Sequence, residues 1–464
     1  MSARVAAIIL VFALAGCAVG PDFKVPFLDL PRSYPEPAAE TKEPLPVPAN
    51  WWRLYGDATL DRLVAAGLER NADIELAAAR IEEAEAVLRE SNATFLPQID
   101  GNAAAGRSRS STQTGTLPST AQPVRNNFLL SASTSFELDF WGRLRRIREA
   151  VRAQYFASRY AADVVTLTLA AGIAQTYFTV RSLDAQIIVS EGTLKAAADS
   201  LDIARKRAQA GVVSDLDVNQ ADSNRAQIAA QIKDLRRSRA VAAHQLGVLA
   251  GALDLELERG DLRELPTPPL PPAGLPSTLL ERRPDVRQAE QLFAAATAQI
   301  GVAQAAEFPT FSLTGSFGAQ SGELATLFSS GGRIWSVGLG IIGPILDWGR
   351  YKARTQQAEA RARQAGATYA KTAQTAFREV ADALSNVRLA ADAEQDLRER
   401  VESAGNTLRL ATLRYESGYS AYIEVLDAQR TLNDAQLALV RNRQSYLAYT
   451  VDLMNALGGG WQGY

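Results

Sequence analysis

The chain has 464 residues, with 49 basic and 51 acidic side chains, a net charge of −2 and 47% hydrophobic residues. The two signs are interspersed, with no basic arm or acidic tail, which argues against a nucleic-acid partner held by phosphate neutralisation. One cysteine, Cys17, and one histidine, His244, exclude a disulfide framework or a His/Cys metal cluster within one chain and leave little for a nucleophile–base pair. No catalytic residue, metal site or cofactor is expected, and His244 reads as a surface or helix-packing residue.

At the amino terminus Arg4 supplies a positive region, Val5 to Leu14 a short apolar core, and Leu14-Ala15-Gly16-Cys17 follows. Residues 1–16 thus read as a signal peptide whose end resembles the lipobox of bacterial lipoproteins. That resemblance implies a covalent lipid on Cys17, and Ala18, in place of an aspartate, implies sorting to the outer membrane. After Cys17 no apolar run reaches about 18 residues, so any membrane crossing must use an architecture other than a single helix.

The chain repeats itself. Asn71-Ala-Asp-Ile74 aligns with Arg283-Pro-Asp-Val286 (285 − 73 = 212), and Phe95-Leu-Pro97 with Glu307-Phe-Pro309 at the same shift. Trp141-Gly-Arg143 aligns with Trp348-Gly-Arg350 (348 − 141 = 207), and Arg207…Gly211 with Arg414…Gly418. A constant shift on either side of one small length change marks a duplicated unit.

Each copy predicts the same element order. A helix from Asp73 to Ser91, or from Asp285 to Ala306, ends before Pro97 or Pro309. Alternating stretches follow: Phe311, Leu313 and Phe317 against Ser312, Thr314, Ser316 and Gln320, then Trp335, Val337, Leu339 and Ile341 against Ser336, Gly338 and Gly340. In copy one Phe128, Leu130, Ala132, Phe136 and Leu138 alternate with Ser131, Ser133, Ser135 and Glu137, and the partner stretch from Ile99 is mostly small residues. No proline lies between Pro123 and Pro266 or after Pro344, so helices of about 65 to 70 residues, roughly 100 Å long, are predicted from Gly142 to Ala210 and from Gly349 to Ser417. Their seam keeps coiled-coil spacing: Leu397, Val401, Ala404, Leu408 and Ala411 on one arm, Ala428, Leu432, Ala435, Leu439, Tyr446 and Tyr449 on the return.

The resulting division is a signal peptide (1–16), a lipidated tether (17–55), short helices (56–96), a β-hairpin (97–140), a long helical hairpin (141–250), a linker and belt (251–280), a short helix (281–308), a second β-hairpin (309–347), a second helical hairpin (348–457) and a tail (458–464). Four strands per chain cannot close a barrel, and an open edge in hydrocarbon leaves backbone groups unsatisfied at several kcal/mol each. Two copies give a filled eight-strand barrel; three give twelve strands with room for a lumen, hence a homotrimer. Trp141 and Trp348, at the strand-to-helix junctions, suit the membrane interface, with Arg143, Arg145, Arg146, Arg350 and Lys352 just beyond.

Seven strings in order, Cys17-Ala-Val-Gly-Pro-Asp22, Trp51-Trp52, Arg282-Arg-Pro-Asp-Val286, Phe308-Pro309, Asp347-Trp-Gly-Arg350, Val425-Leu-Asp-Ala-Gln429 and Ala456-Leu-Gly-Gly-Gly-Trp461, resemble the TolC-like outer-membrane factors of tripartite efflux pumps, in the NodT or OprM-like branch. The resemblance implies a mainly α fold with a transmembrane β-barrel: as a trimer, a 12-strand barrel continuous with a 12-helix periplasmic α-barrel and an equatorial mixed α/β belt. It also implies outer-membrane lipid around the barrel, and as partners a periplasmic adaptor and an inner-membrane transporter of the resistance-nodulation-division type. The hairpins turn at Gly211 and Gly418, which would form the periplasmic mouth. By resemblance Asp427 matches an acidic constriction ring, Ile423 the apolar ring beside it and Glu424 a second acidic position. Asp217 and Tyr415 match gate links, with Ser420 standing where an arginine can sit. The alternatives are the duct of a type I protein secretion system and a coiled-coil scaffold lipoprotein without strands.

Overall fold

A computed structural model of the chain describes residues 18–29, 31, 33–34, 47–111, 113, 122–270 and 281–461. Cys17 and the signal region lie outside the described residues. The elements in chain order are α1 (Ala58–Arg70), α2 (Ala72–Ala93), β1 (Gln98–Arg109), β2 (Val124–Leu138), α3 (Arg143–Gln209), α4 (Asp215–Leu249), α5 (Pro284–Ala305), β3 (Thr310–Ser321), β4 (Arg333–Ile342), α6 (Arg350–Glu416) and α7 (Tyr422–Ala456). The duplication is visible in the lengths: α2 and α5 both have 22 residues, α3 and α6 both 67, and α4 and α7 both 35.

Two compact units divide the chain, one comprising Met1–Phe27, Ile81–Ser158 and Ala289–Tyr369, the other Leu28–Arg80, Arg159–Gln288 and Ala370–Tyr464. The first contains one antiparallel sheet in the order β1-β2-β3-β4. Its register sorts the side chains by face. Phe136, Leu313 and Leu339 stand in one row, and Ala132, Phe317 and Trp335 in another; the alternate rows hold Ser135, Thr314 and Gly338, then Ser133, Ser316 and Ser336. The apolar rows are exposed, Trp335 at 75% and Val337 at 74%, so one face of the sheet is apolar and uncovered and the other carries hydroxyls. Such a sheet does not cover a globular core. Its four strands contradict the strandless scaffold reading. Within this chain β1 and β4 each pair along one side only.

In the same unit the segment after Cys17 is stitched down. Val19 donates its N–H to the Trp141 carbonyl at 3.0 Å. The nearly buried Arg146 donates to the Val19 and Gly20 carbonyls at 3.1 and 3.0 Å and pairs with Asp22 at 2.8 Å. Gly20 has a φ of 98°, and a Cβ there would lie 2.4 Å from the Gly301 Cα on α5, so the close crossing requires glycine. Phe23 meets Phe293 edge-on, 5.4 Å between centroids.

The second unit is a helical quartet with its own core around Tyr55, Leu60, Tyr177, Phe178, Leu246 and Leu447. Residues 51–55, expected in the tether, instead form a 3-10 turn in this core: Trp51 is 1% exposed, and Tyr55 shares a 2.8 Å hydrogen bond with Thr450. The tether therefore ends earlier than the sequence suggested, because two large aromatic side chains gain more from burial than a linker would give them. Of the residues assigned to the linker and belt, 251–270 are described. Residues 251–270 contain only the 3-10 turn Leu262–Glu264 and no strand. Their backbone is held by side chains instead: Arg181 donates to the Glu258 carbonyl, Arg239 to Leu257, Arg443 to Leu265, and the Gly260 N–H to the fully buried Asp184. Arginines reaching out of the helices replace the ladder a sheet would supply. The predicted seam is present; Ala404, Ala411, Ala428, Ala435 and Tyr446 are buried. His244 is exposed, on α4.

Candidate functional site

Both hairpin turns have one construction. Val212 N–H reaches the Arg207 carbonyl and Gly211 N–H that of Ala208, each at 2.9 Å; Tyr419 N–H reaches Arg414 at 2.9 Å and Gly418 N–H reaches Tyr415 at 3.0 Å. This double bond pattern is the Schellman ending, which needs a left-handed residue, and Gly211 and Gly418 supply it at φ 73° and 79°. Acidic side chains then open the return helices, Asp215 and Asp217 on α4 and Glu424 on α7, where the positive end of the helix favours them.

The return helix α7 is divided lengthwise. Tyr422, Val425, Leu426, Ala428 and Gln429 are buried, whereas Ile423, Glu424, Asp427 and Arg430 are exposed. Ile423, 52% exposed, is therefore outside the coiled-coil core of its own chain. The three predicted constriction residues share one free face, as their spacing required.

Beneath that face the two hairpins pack around Leu201, Ala204, Ala221, Ala411, Tyr415, Tyr422, Val425 and Leu426. The rings of Tyr415 and Tyr422 meet at 5.5 Å and 63°. Arg207 donates to the Tyr415 carbonyl at 2.5 Å, and its guanidinium lies 4.6 Å from the centre of that ring. The equivalent Arg414 stays within its own hairpin, 3.7 Å from Glu424. Asp217, the counterpart of Glu424 (424 − 217 = 207), is thus left without the arginine its position suggests. It makes no hydrogen bond through its carboxylate among the described residues, and the hydroxyls of Tyr415, Tyr422 and Ser420 are buried without partners. Burial, then the neighbouring charge of Asp217, pushes the Tyr415 phenol up; burial foremost takes Tyr422 to about 12.

Above this cluster the apolar seam gives way to a polar layer. Gln429 donates to Ser200 at 2.9 Å and accepts from Asn224 at 3.3 Å, and Thr193 donates to Asn433 at 3.2 Å. A cavity of about 320 Å³ lies beside Thr193, Gln429 and Asn433. Neither this layer nor the role of Arg207 was read from the sequence, although Arg207 already stood at the repeat shift from Arg414 and Gln429 closed one of the quoted strings.

The two predicted interface tryptophans differ. Trp141 donates its indole N–H to the Pro309 carbonyl at 2.8 Å and stacks on Phe308 at 4.6 Å. Trp348 is 89% exposed and takes a φ of 55°. Asp139-Phe-Trp-Gly142 has one residue more than Asp347-Trp-Gly349, and the shorter link places its tryptophan in the left-handed region.

A sheet inverted for a lipid exterior, paired 67-residue helices and an acidic free face at their turns describe a membrane duct, and relatives bear on that directly. The outer membrane efflux protein profile matches residues 63–252 and 275–459, one stretch per repeat. The chain belongs to the outer membrane efflux protein family. It is 35% identical to TtgC of Pseudomonas putida, a probable efflux pump outer membrane protein, over 97% of this chain and 94% of that one. To CusC of Escherichia coli, a cation efflux system protein, it is 32% identical over 97% of each. The solved outer-membrane channel OprN matches with a TM-score of 0.89 at 30% identity, covering 96% of this chain and 100% of that chain. Family membership makes this protein an outer-membrane exit channel of a tripartite efflux system, reaching into the periplasm and working with an adaptor and an inner-membrane transporter. These are channel-type proteins of efflux pumps rather than enzymes.

Proposed function

We propose that three copies, each anchored by a lipid on Cys17, join β1 of one to β4 of the next and form a passive exit duct with an iris at its periplasmic mouth. The carrying observation is the four-stranded sheet with an apolar face, a hydroxyl-rich face and two half-paired edges. In hydrocarbon such edges must be paired, and copies of the same chain offer the matching edge.

The same threefold arrangement makes rings of Ile423, Glu424 and Asp427. Three carboxylates some 7 Å apart repel by roughly 0.6 kcal/mol per pair in water and about 2 kcal/mol at an effective dielectric near 20. A closed mouth therefore binds cations. Opening separates the α6/α7 hairpin from α3/α4, so the Arg207–Tyr415 contact resists it from inside the chain, while Asp217 is available to neighbouring hairpins. The partners are a periplasmic adaptor at the hairpin turns and a transporter of the resistance-nodulation-division type. The cargo is small toxic compounds or metal cations, selected by the pump, and no cofactor takes part.

The test is single-channel conductance of the purified mature protein in a planar bilayer. The parent is expected to conduct weakly, and Asp217→Ala with Asp427→Ala several-fold more. Equal conductance of the two defeats the gate assignment.

A further inference from the structure

The two strand-to-helix junctions share two cation positions, and those two are paired in repeat one and unpaired in repeat two. In repeat one Arg143 pairs with Glu137 at 2.5 Å, Arg145 with Asp139 at 3.2 Å, and Arg146 with Asp22 and Glu149, each at 2.8 Å. Every one of these charges is answered within the chain.

Repeat two keeps two of these three cations, has Ala353 at the Arg146 position and adds Arg354, and of the acids it keeps only Asp347. The counterparts of Arg143 and Arg145 are Arg350 and Lys352 (350 − 143 = 207), but β4 runs out through Gly343-Pro-Ile-Leu346, with no carboxylate in place of Glu137. Asp347 uses one oxygen on the Gly349 N–H at 3.1 Å and the other on the Tyr351 N–H at 2.9 Å, and acts on Arg350 only through its charge. Arg350, Lys352 and Arg354 make no ion pair among the described residues. The guanidinium groups of Arg350 and Arg354 lie 4.8 and 5.5 Å from the centre of the Tyr351 ring, which holds both.

Beside these cations are three large apolar side chains with nothing over them: Ile345, Leu346 and Trp348, the last 89% exposed. They follow the end of β4, whose Trp335, Val337, Leu339 and Ile341 are exposed as well. A soluble anion has no use for that surface. A phospholipid does, since its acyl chains cover the aliphatic residues, its headgroup sits level with an indole, and its phosphate meets guanidinium and ammonium groups.

We propose that the repeat-two junction, Trp348 with Arg350, Lys352 and Arg354, is a binding site for an anionic phospholipid headgroup, and that Arg143, Arg145 and Arg146 of the repeat-one junction, each already paired, do not hold one. Each chain then has one such site, and a trimer three. The proposal rests on the outer-membrane placement of the sheet and adds to it a lipid preference and an address.

The experiment uses the full mature protein in nanodiscs of mixed phosphatidylglycerol and phosphatidylethanolamine, then native mass spectrometry of the lipid retained after release. With roughly five-fold per cation near an anionic surface, and Asp347 offsetting part of it, phosphatidylglycerol is expected to be retained at least about ten-fold over its share. The triple variant Arg350→Gln, Lys352→Gln, Arg354→Gln is expected to lose the preference, and Arg143→Gln with Arg145→Gln to keep it. Lys352→Gln alone, at an exposed side chain without a partner, guards against misfolding and is expected to lower the preference by roughly five-fold. A parent that inserts but retains both lipids equally overturns the proposal and leaves the placement standing; a parent that never inserts overturns both. Retention unchanged in the triple variant also overturns it, as does displacement of the lipid by inorganic phosphate, which would mark an adventitious anion site only.

Discussion

Arg207 of the first repeat closes on Tyr415 of the second, 208 positions away, donating to its carbonyl at 2.5 Å and covering its ring. The matching arginine, Arg414, turns back to Glu424 in its own hairpin. The duplication thus produced two different contacts from one residue type, and only one of them ties hairpin to hairpin.

That asymmetry separates two variants. A charged hydrogen bond contributes about 2 kcal/mol and the ring contact about 1 kcal/mol more, so Arg207→Ala is expected to raise channel conductance. Tyr415→Phe keeps both the carbonyl and a ring, and on the intrachain contact alone leaves the conductance unchanged. A rise with Tyr415→Phe as large as with Arg207→Ala would assign the restraint to the hydroxyl and a neighbouring chain instead.

The proposed acidic ring predicts its own signature. Asp427→Asn is expected to weaken block by divalent cations applied from the periplasmic side several-fold, with Glu424→Gln having the smaller effect because Arg414 already partly answers that charge. Block that survives both substitutions would place the cation site elsewhere.

The tip tyrosines set a pH limit. Tyr422 ionises at 10.0 when unperturbed and is pushed up to about 12 in the fold. The folded state therefore holds a proton that the unfolded chain releases, so this group leaves stability unaffected below pH 10 and lowers it as pH rises from 10 towards 12. Alkaline unfolding followed by tyrosinate absorbance is expected to shift to higher pH in Tyr422→Phe.

The docked tether can be released. Arg146→Ala removes the donors to two carbonyls and one carboxylate of the tether, Val19, Gly20 and Asp22, costing about 2 kcal/mol or roughly 30-fold in the opening equilibrium. Gly20→Ala meets both a left-handed φ and the Gly301 backbone. In either variant tryptic cleavage after Lys24 is expected to accelerate by an order of magnitude. Unchanged cleavage would mean that the segment is held elsewhere.

Most of the architecture was legible because it is written in local periodicity. The helices predicted within the proline-free runs, 142–210 and 349–417, end within a residue of α3 and α6, and the apolar alternation of Phe311 to Ile341 forms one face of the sheet. What periodicity does not carry is the choice of partner across the fold. Arg207 and Arg414 are indistinguishable in sequence, and so are Trp141 and Trp348. Their fates depend on which hairpin lies alongside, and on whether one extra residue, Phe140, relaxes the turn. Trp51 and Tyr55 were assigned to a tether because a short 3-10 turn has no repeat to reveal it. Residues 251–270 lack long-helix patterning, and the arginines that hold them as an extended strap come from distant positions that periodicity does not point to.

Closure by three chains is tested most directly by cross-linking the half-paired strand edges. The native chain contains one cysteine, so cysteine pairs placed along β1 and β4 of the mature protein in membranes report only on their own geometry. At one register, oxidation is expected to join each β1 to the β4 of the next chain and give a ladder of one, two and three subunits that stops at three, together with loss of conductance on widening reagents attached to the hydroxyl-lined face. Monomers at every register, or a ladder that runs on past three, would contradict a twelve-stranded closed barrel.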